Sequence, residues 1–192
     1  LGLLTADDPS IRRLALAAAI FYVAHHILVK TNLFLIAGVI RRLRSSEDLG
    51  PLGGLASSAP WLATLFLIPA ASLAGIPPLS GFWAKLAVIE VAVMAEAWPA
   101  VAAALFAGLL TLLSMTKIWN EAFWKDAVDE QPKAGGDAAM WPLVAPVVVL
   151  ATLTVVIGVF PQLLYAISDQ AAVGLLDLEA YRRVAGLAGG GP

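Results

Sequence analysis

Residues 71–86 lie between two apolar runs and place Gly75, Pro77, Pro78, Gly81 and Lys85 within about three helical turns of one another. Pro77 and Pro78 carry no backbone N–H, and Pro77 drives Ile76 away from helical angles, so a continuous helix is not expected to pass this point. A broken helix frees backbone N–H and C=O groups that lipid cannot pair. Lys85 adds a second cost, about 2.5–3.5 kcal/mol for a lysine at mid-membrane. Two such costs side by side point to a site that handles ions, with Ser72 and Ser80 flanking the break. The plain alternative is a loop between two helices, with Lys85 snorkelling to the surface.

That this stretch lies in a membrane follows from composition. Of 192 residues, 60% are hydrophobic and 14% charged, where a soluble domain carries about 25% charged residues; mean hydropathy is +0.84. The fold class is therefore all-α integral membrane. A net charge of −2 leaves no case for nucleic acid. Cysteine is absent, which excludes disulfides, thiol catalysis and cysteine metal sites. No cofactor motif, catalytic nucleophile or carboxylate cluster suited to a metal stands out, so the chain reads as part of a transporter rather than an enzyme. It begins at Leu1 and reads as a C-terminal piece of something longer.

Four spans are expected in one helical domain, over residues 11–40, 59–95, 100–124 and 140–167, followed by a polar tail over 168–192 with room for a short helix at Leu175–Val184. Asp8-Pro9-Ser10 has the form of a helix start. Residues 59–95 would extend about 55 Å as one helix, too long for a straight crossing and short for two. One crossing made of two half-helices, broken near 76–79, fits better. Polar loops are expected at Ser45–Ser58 and at Lys125–Ala139. Arg41, Arg42 and Arg44 mark a cytoplasmic edge. That assignment puts Lys125 and Lys133 on the same side and Arg12, Arg13, Arg182 and Arg183 on the other, a weak bias.

Two further lysines and a histidine are candidates. His26 and Lys30 are four apart and share a helix face near the middle of the first span. Alone, His26 reads as readily as a hydrogen-bonded packing residue; a mid-span lysine beside it is a functional candidate by default. Lys117 forms an i,i+4 pair with Glu121, and Trp119 and Trp124 place these turns at the interface, so Lys117 reads as an edge residue.

With these residues assembled, the chain resembles a known family. His26-Ile27-Leu28-Val29-Lys30 followed by Leu33-Phe34-Leu35 is similar to the His/Lys helix of the antiporter-like membrane subunits, and residues 72–82 are similar to their second broken helix, with Lys85 at the ion-site lysine. That superfamily includes proton-pumping subunits of respiratory complex I and the large subunits of multi-subunit Mrp-type Na+/H+ antiporters. Residues 114–124 point most closely to the Mrp type; a complex I or membrane-bound hydrogenase pump subunit is the alternative. The resemblance implies about fourteen spans in two inverted repeats, of which this chain supplies the last four. The other half-channel then lies outside it, and the chain alone is not expected to exchange ions. The resemblance further implies protons and Na+ as cargo, other antiporter subunits as partners, and a multi-pass place in a prokaryotic cell membrane. Lys85 would take up and release the proton, with His26, whose unperturbed pKa is about 6.5, and Lys30 on its approach. Lys30 would lie between His26 and Lys85.

Overall fold

The computed structural model describes residues 8–44, 48–50, 52–126 and 140–177. The elements are α1 (Pro9–Arg44), α2 (Leu55–Ser58), α3 (Pro60–Ala74), α4 (Ser80–Met94), α5 (Trp98–Trp119) continuing into a π-helical turn (Asn120–Trp124), α6 (Trp141–Val159) and α7 (Pro161–Leu176). Most of the expected loop at Lys125–Ala139, with Lys133, and all but the first residues of the tail lie outside the described residues.

α1 starts where its sequence predicts. Pro9 needs no N–H partner in the first turn, and the Asp8 side chain accepts hydrogen bonds from the Ser10 N–H and hydroxyl, both at 2.7 Å. Those two bonds hold the Asp8 carboxyl below the usual carboxylate range. At the other end Arg41, Arg42 and Arg44 occupy the last turn, where cations meet the negative end of the helix dipole. The 36 residues span about 54 Å, so α1 crosses a core of about 30 Å with both ends beyond it. Its buried stripe is Phe21, His25, Val29, Asn32, Ile36 and Val39, the spacing of one helix face.

α1 serves as the spine against which the other crossings align. Near its C-terminal half, Ile36, Val39 and Ile40 share a core with Leu62, Phe66 and Ala70 of α3. Near its N-terminal half, Ala15 and Ala18 pack with Val91 of α4. Between them His25 meets Ser80. α3 and α4 thus lie end to end beside α1 as one broken crossing. The break has a physical form. Gly75 at φ 92° and ψ 33° closes α3, with Ile76 N–H donating to the Ala71 carbonyl and Gly75 N–H to Ser72, the Schellman arrangement. Leu79 N–H donates to the Ile76 carbonyl across the two prolines, and α4 starts at Ser80. The Pro77–Pro78 peptide is cis.

The fourth crossing departs from expectation. A single span through Ile167 is replaced by α6, which ends at Val159, and α7, which starts at Pro161 and runs to Leu176. Pro161 cannot donate into the α6 ladder, and it pushes Phe160 to φ −121° and ψ 62°. The helix also continues past the expected start of the tail, because its polar residues are satisfied. Ser168 is buried and its hydroxyl donates to the Leu164 carbonyl at 2.8 Å. Asp169 accepts from Arg13 Nε at 2.8 Å and from Nη2 at 2.5 Å. α6 and α7 also follow α1: the Asn32 amide, oriented to satisfy both partners, donates to the Val147 carbonyl and accepts from Ala151 N–H, and Phe21 packs on Tyr165.

The two breaks touch. Trp83 Nε1 donates to the Gly158 carbonyl at 2.8 Å, one of the last-turn carbonyls of α6 that lack a helical partner. A Cβ at position 158 would collide with the Pro78 carbonyl and lie 2.7 Å from Leu79 Cα. Trp83→Phe keeps the ring packing and removes the donor, so it is expected to lower stability by about 1 kcal/mol. The check is the thermal midpoint of the purified complete assembly; an unchanged midpoint would mean that the bond contributes nothing.

α5 is the outermost helix, with no buried residue. Its π turn carries Phe123 into a stack with Trp119 and a tilted contact with Phe66 and ends where Gly54 N–H donates to the Lys125 carbonyl. Glu121 pairs with Lys125 at 3.2 Å rather than with Lys117. The change to wider winding after Trp119 moves Glu121 off the Lys117 row, and Lys125, tied to the Gly50 carbonyl, meets it instead.

Candidate functional site

Lys85 lies one and a half turns into α4, half-buried, with its Nζ donating to the Ala74 carbonyl at 2.8 Å. It therefore caps the C-terminal end of α3, where the helix dipole offers partial negative charge. Among the described residues no carboxylate pairs with it. Gly75 is favoured here because its φ of 92° is left-handed, and a Cβ would lie 2.9 Å from Lys85 Cδ, so the lysine stem would have to shift.

Behind the lysine is a buried polar cluster. His25 Nδ1 and Ser80 Oγ are 2.9 Å apart, Ser80 Oγ and Ser72 Oγ are 3.1 Å apart, and Gly81 N–H donates to Ser72 Oγ at 3.1 Å. Both serines are thus engaged with protein partners. A Cβ at Gly81 would strike the Ser72 carbonyl, so only glycine allows α4 to start this close to α3.

His26 is not in this cluster. One residue on from His25 it is rotated about 100° round α1, and its ring stacks on Tyr22 with centroids 5.9 Å apart and planes at 15°. His26 and Lys30 line a cavity of about 260 Å3 with Tyr22, Thr111 and Ser114. Lys85 lines another, of about 160 Å3, with Tyr22, Gly108 and Thr111. Tyr22 and Thr111 border both. Lys30 also lines a third cavity, of about 550 Å3, that reaches Phe34, Met115, Ile118 and Arg41. The order along α1 is therefore Tyr22 nearest Lys85, then His26, then Lys30 toward Arg41. On α1 His26 is thus nearer than Lys30 to the Tyr22 turn that borders the Lys85 cavity, an order that differs from the expectation of Lys30 between His26 and Lys85.

Lys117 is exposed on α5 and lines none of these three cavities. The structure brings Lys85, His26 and Lys30 into adjoining cavities with Gly75, Pro77, Pro78, Ser80 and Gly81 forming the break. It adds three residues that the sequence does not single out: Tyr22, His25 and Thr111. The stripe Phe21, His25, Val29, Asn32, Ile36 carries a signal for His25, since it repeats at three and four residues and excludes His26.

Residues 10–111 match the family described as NADH:quinone oxidoreductase/Mrp antiporter, TM, a match that holds every cavity-lining residue discussed except Ser114, Met115 and Ile118. The D-type Na+/H+ antiporter subunit of Alkalihalophilus pseudofirmus is 44% identical over 169 residues, covering 88% of this chain and 34% of that protein. The Na+/H+ antiporter subunit A1 of Staphylococcus aureus is 30% identical over 171 residues, covering 82% of this chain and 21% of that one. Among solved structures, the Mrp complex from Dietzia sp. DQ12-45-1b matches with a TM-score of 0.76 and 34% identity, over 89% of this chain and 40% of that chain. Respiratory complex I from Thermus thermophilus matches with a TM-score of 0.62 and 27% identity, over 80% of this chain and 35% of that one. The chain thus spans about a third of the length of the Alkalihalophilus relative.

Proposed function

This chain belongs to the NADH:quinone oxidoreductase/Mrp antiporter membrane family, and we propose that it forms a proton half-path in a subunit of a multi-subunit Na+/H+ antiporter of a prokaryotic cell membrane. The observation that carries this reading is the row of adjoining cavities from Lys85 at the helix break, past Tyr22 and Thr111, to His26 and Lys30. The antiporter reading is favoured over a complex I pump subunit by 44% identity to a named antiporter subunit.

In this mechanism Lys85 holds a proton while it caps α3 at Ala74. On giving the proton up, the amine loses its charge-assisted bond to that carbonyl, and the Tyr22–Thr111 cavity is the space beside it. Tyr22, with a hydroxyl that donates and accepts, and His26, with two ring nitrogens, have the groups to pass a proton on. Lys30, exposed at mid-helix, faces the remainder of the complete subunit, since a lysine at that depth turns toward protein or water. Water in the cavities links these groups. Lipid surrounds the assembly, and neighbouring antiporter subunits supply the Na+ part of the exchange.

The test compares two lysines in vesicles that contain the complete assembly. Lys30→Met is expected to slow Na+/H+ exchange by about tenfold or more, because Lys30 borders both the second cavity of the row and the larger cavity beyond it. His26→Ala slows it less, since water can enter the space vacated by the ring. Lys117→Met stays within about twofold of the parent. A Lys117→Met defect as large as that of Lys30→Met would place the path elsewhere.

A further inference from the structure

His25 has no place on the cavity row, yet it is 2% exposed and hydrogen-bonded at the break. Its neighbours there define what it can do. α4 has no side-chain cap of its own: Leu79 stands at the N-cap position without one. The Gly81 N–H, an orphan donor of the first turn, is capped instead by Ser72 from α3. Ser72 is held by Ser80, and Ser80 by His25 from α1. Ser72 and Ser80 are 0% and 1% exposed, so water does not substitute readily for any member of the chain. The His25 ring also stands beside Gly81, since a Cβ there would be 2.9 Å from Cε1. Lys85 follows Ser80 by five residues on a regular helix, about 7.5 Å along the axis. Whatever sets the first turn of α4 therefore sets the reach of Lys85 to Ala74.

We propose that His25 is a positioning residue for transport: through Ser80 it seats the first turn of α4 against α3 and so holds Lys85 Nζ on the Ala74 carbonyl. The role is geometric and separate from that of His26, which borders the cavities. It uses only Nδ1, the atom in contact with Ser80. The proposal rests on the transport reading above.

The test uses the complete assembly and separates the hydrogen bond from the ring. His25→Asn sets a polar amide atom near the position of Nδ1 and has no titratable group; His25→Leu has comparable bulk and no hydrogen bond. His25→Leu is expected to lower the maximal exchange rate about tenfold, with assembled complex on native gels and the half-saturating Na+ concentration both unchanged. Backbone amide exchange over residues 79–86, read by mass spectrometry, speeds up in the same variant. His25→Asn keeps both readouts within about twofold of the parent. Ser80→Ala is at least as slow as His25→Leu, because it also removes the bond to Ser72, and the double variant is no slower than Ser80→Ala alone, because the His25–Ser80 bond is already gone. Assembled His25→Asn as slow as His25→Leu would overturn the proposal, since the ring itself would then be needed. Multiplicative losses in the double variant would overturn it too. Parental amide protection in His25→Leu removes the clamp alone, whereas normal exchange by Lys85→Met removes the transport reading alone.

Discussion

Gly81→Ala is expected to leave little assembled complex, and the complex that does form should melt well below the parent. The added Cβ would strike the Ser72 carbonyl oxygen and lie 2.7 Å from the Ser72 carbonyl carbon and 2.9 Å from His25 Cε1. Two of these three atoms are backbone, and the third belongs to a buried ring, so none can swing aside. α4 must then shift off α3, which breaks the Gly81–Ser72 bond and strains the Ser72–Ser80–His25 chain. Overpacking costs about 1–3 kcal/mol, and each buried polar group left unpaired about 1–3 kcal/mol more. The sum is a large fraction of a typical total stability of about 5–15 kcal/mol. Gly38→Ala is the control, because nothing lies within 4 Å of a Cβ built there. Native gels and thermal midpoints of the two variants decide the matter. A Gly81→Ala assembly that melts with the parent would show that α3 and α4 do not meet this closely.

The break and the number of crossings are legible in the sequence because they rest on covalent facts. Pro77 and Pro78 cannot donate hydrogen bonds, Gly75 can turn left-handed, and residues 59–95 have the wrong length for one straight helix or two. The Asp8-Pro9-Ser10 start is legible for the same kind of reason. Other features depend on partners remote in sequence. Asp169 and Ser168 look like the start of a polar tail until Arg13 and the Leu164 carbonyl satisfy them, 156 residues away in the first case and one helical turn in the second. Pro161 is visible, yet its local chemistry does not distinguish the end of one helix from a junction between two. Of the paired histidines, His26 draws attention through Lys30, while His25 falls on the buried stripe with Phe21 and Val29. Tyr22 and Thr111 give no signal in the sequence, since a tyrosine and a threonine in apolar helices are ordinary packing residues. They stand out only by bordering both cavities.

Lys85→Met is expected to abolish exchange. Methionine keeps the unbranched stem that packs against Gly75 and removes the only group of that side chain able to carry a proton. The substitution also removes the donor to the Ala74 carbonyl. That carbonyl lies at a helix end, where last-turn acceptors commonly find water or other partners, so the structural loss is about 1 kcal/mol. A loss of that size leaves assembly largely intact, while the transport loss is complete, because none of the other residues bordering the Lys85 cavity is a lysine, histidine or carboxylate. Arginine at the same position would keep the charge but hold its proton throughout the cycle, so Lys85→Arg is expected to assemble and to fail in the same way. The most direct measurement is Na+/H+ exchange in membrane vesicles carrying the complete Lys85→Met assembly, with the amount of assembled complex read from native gels. Parental amounts of complex with exchange at background is the predicted result; exchange at the parental rate by the assembled variant would contradict it.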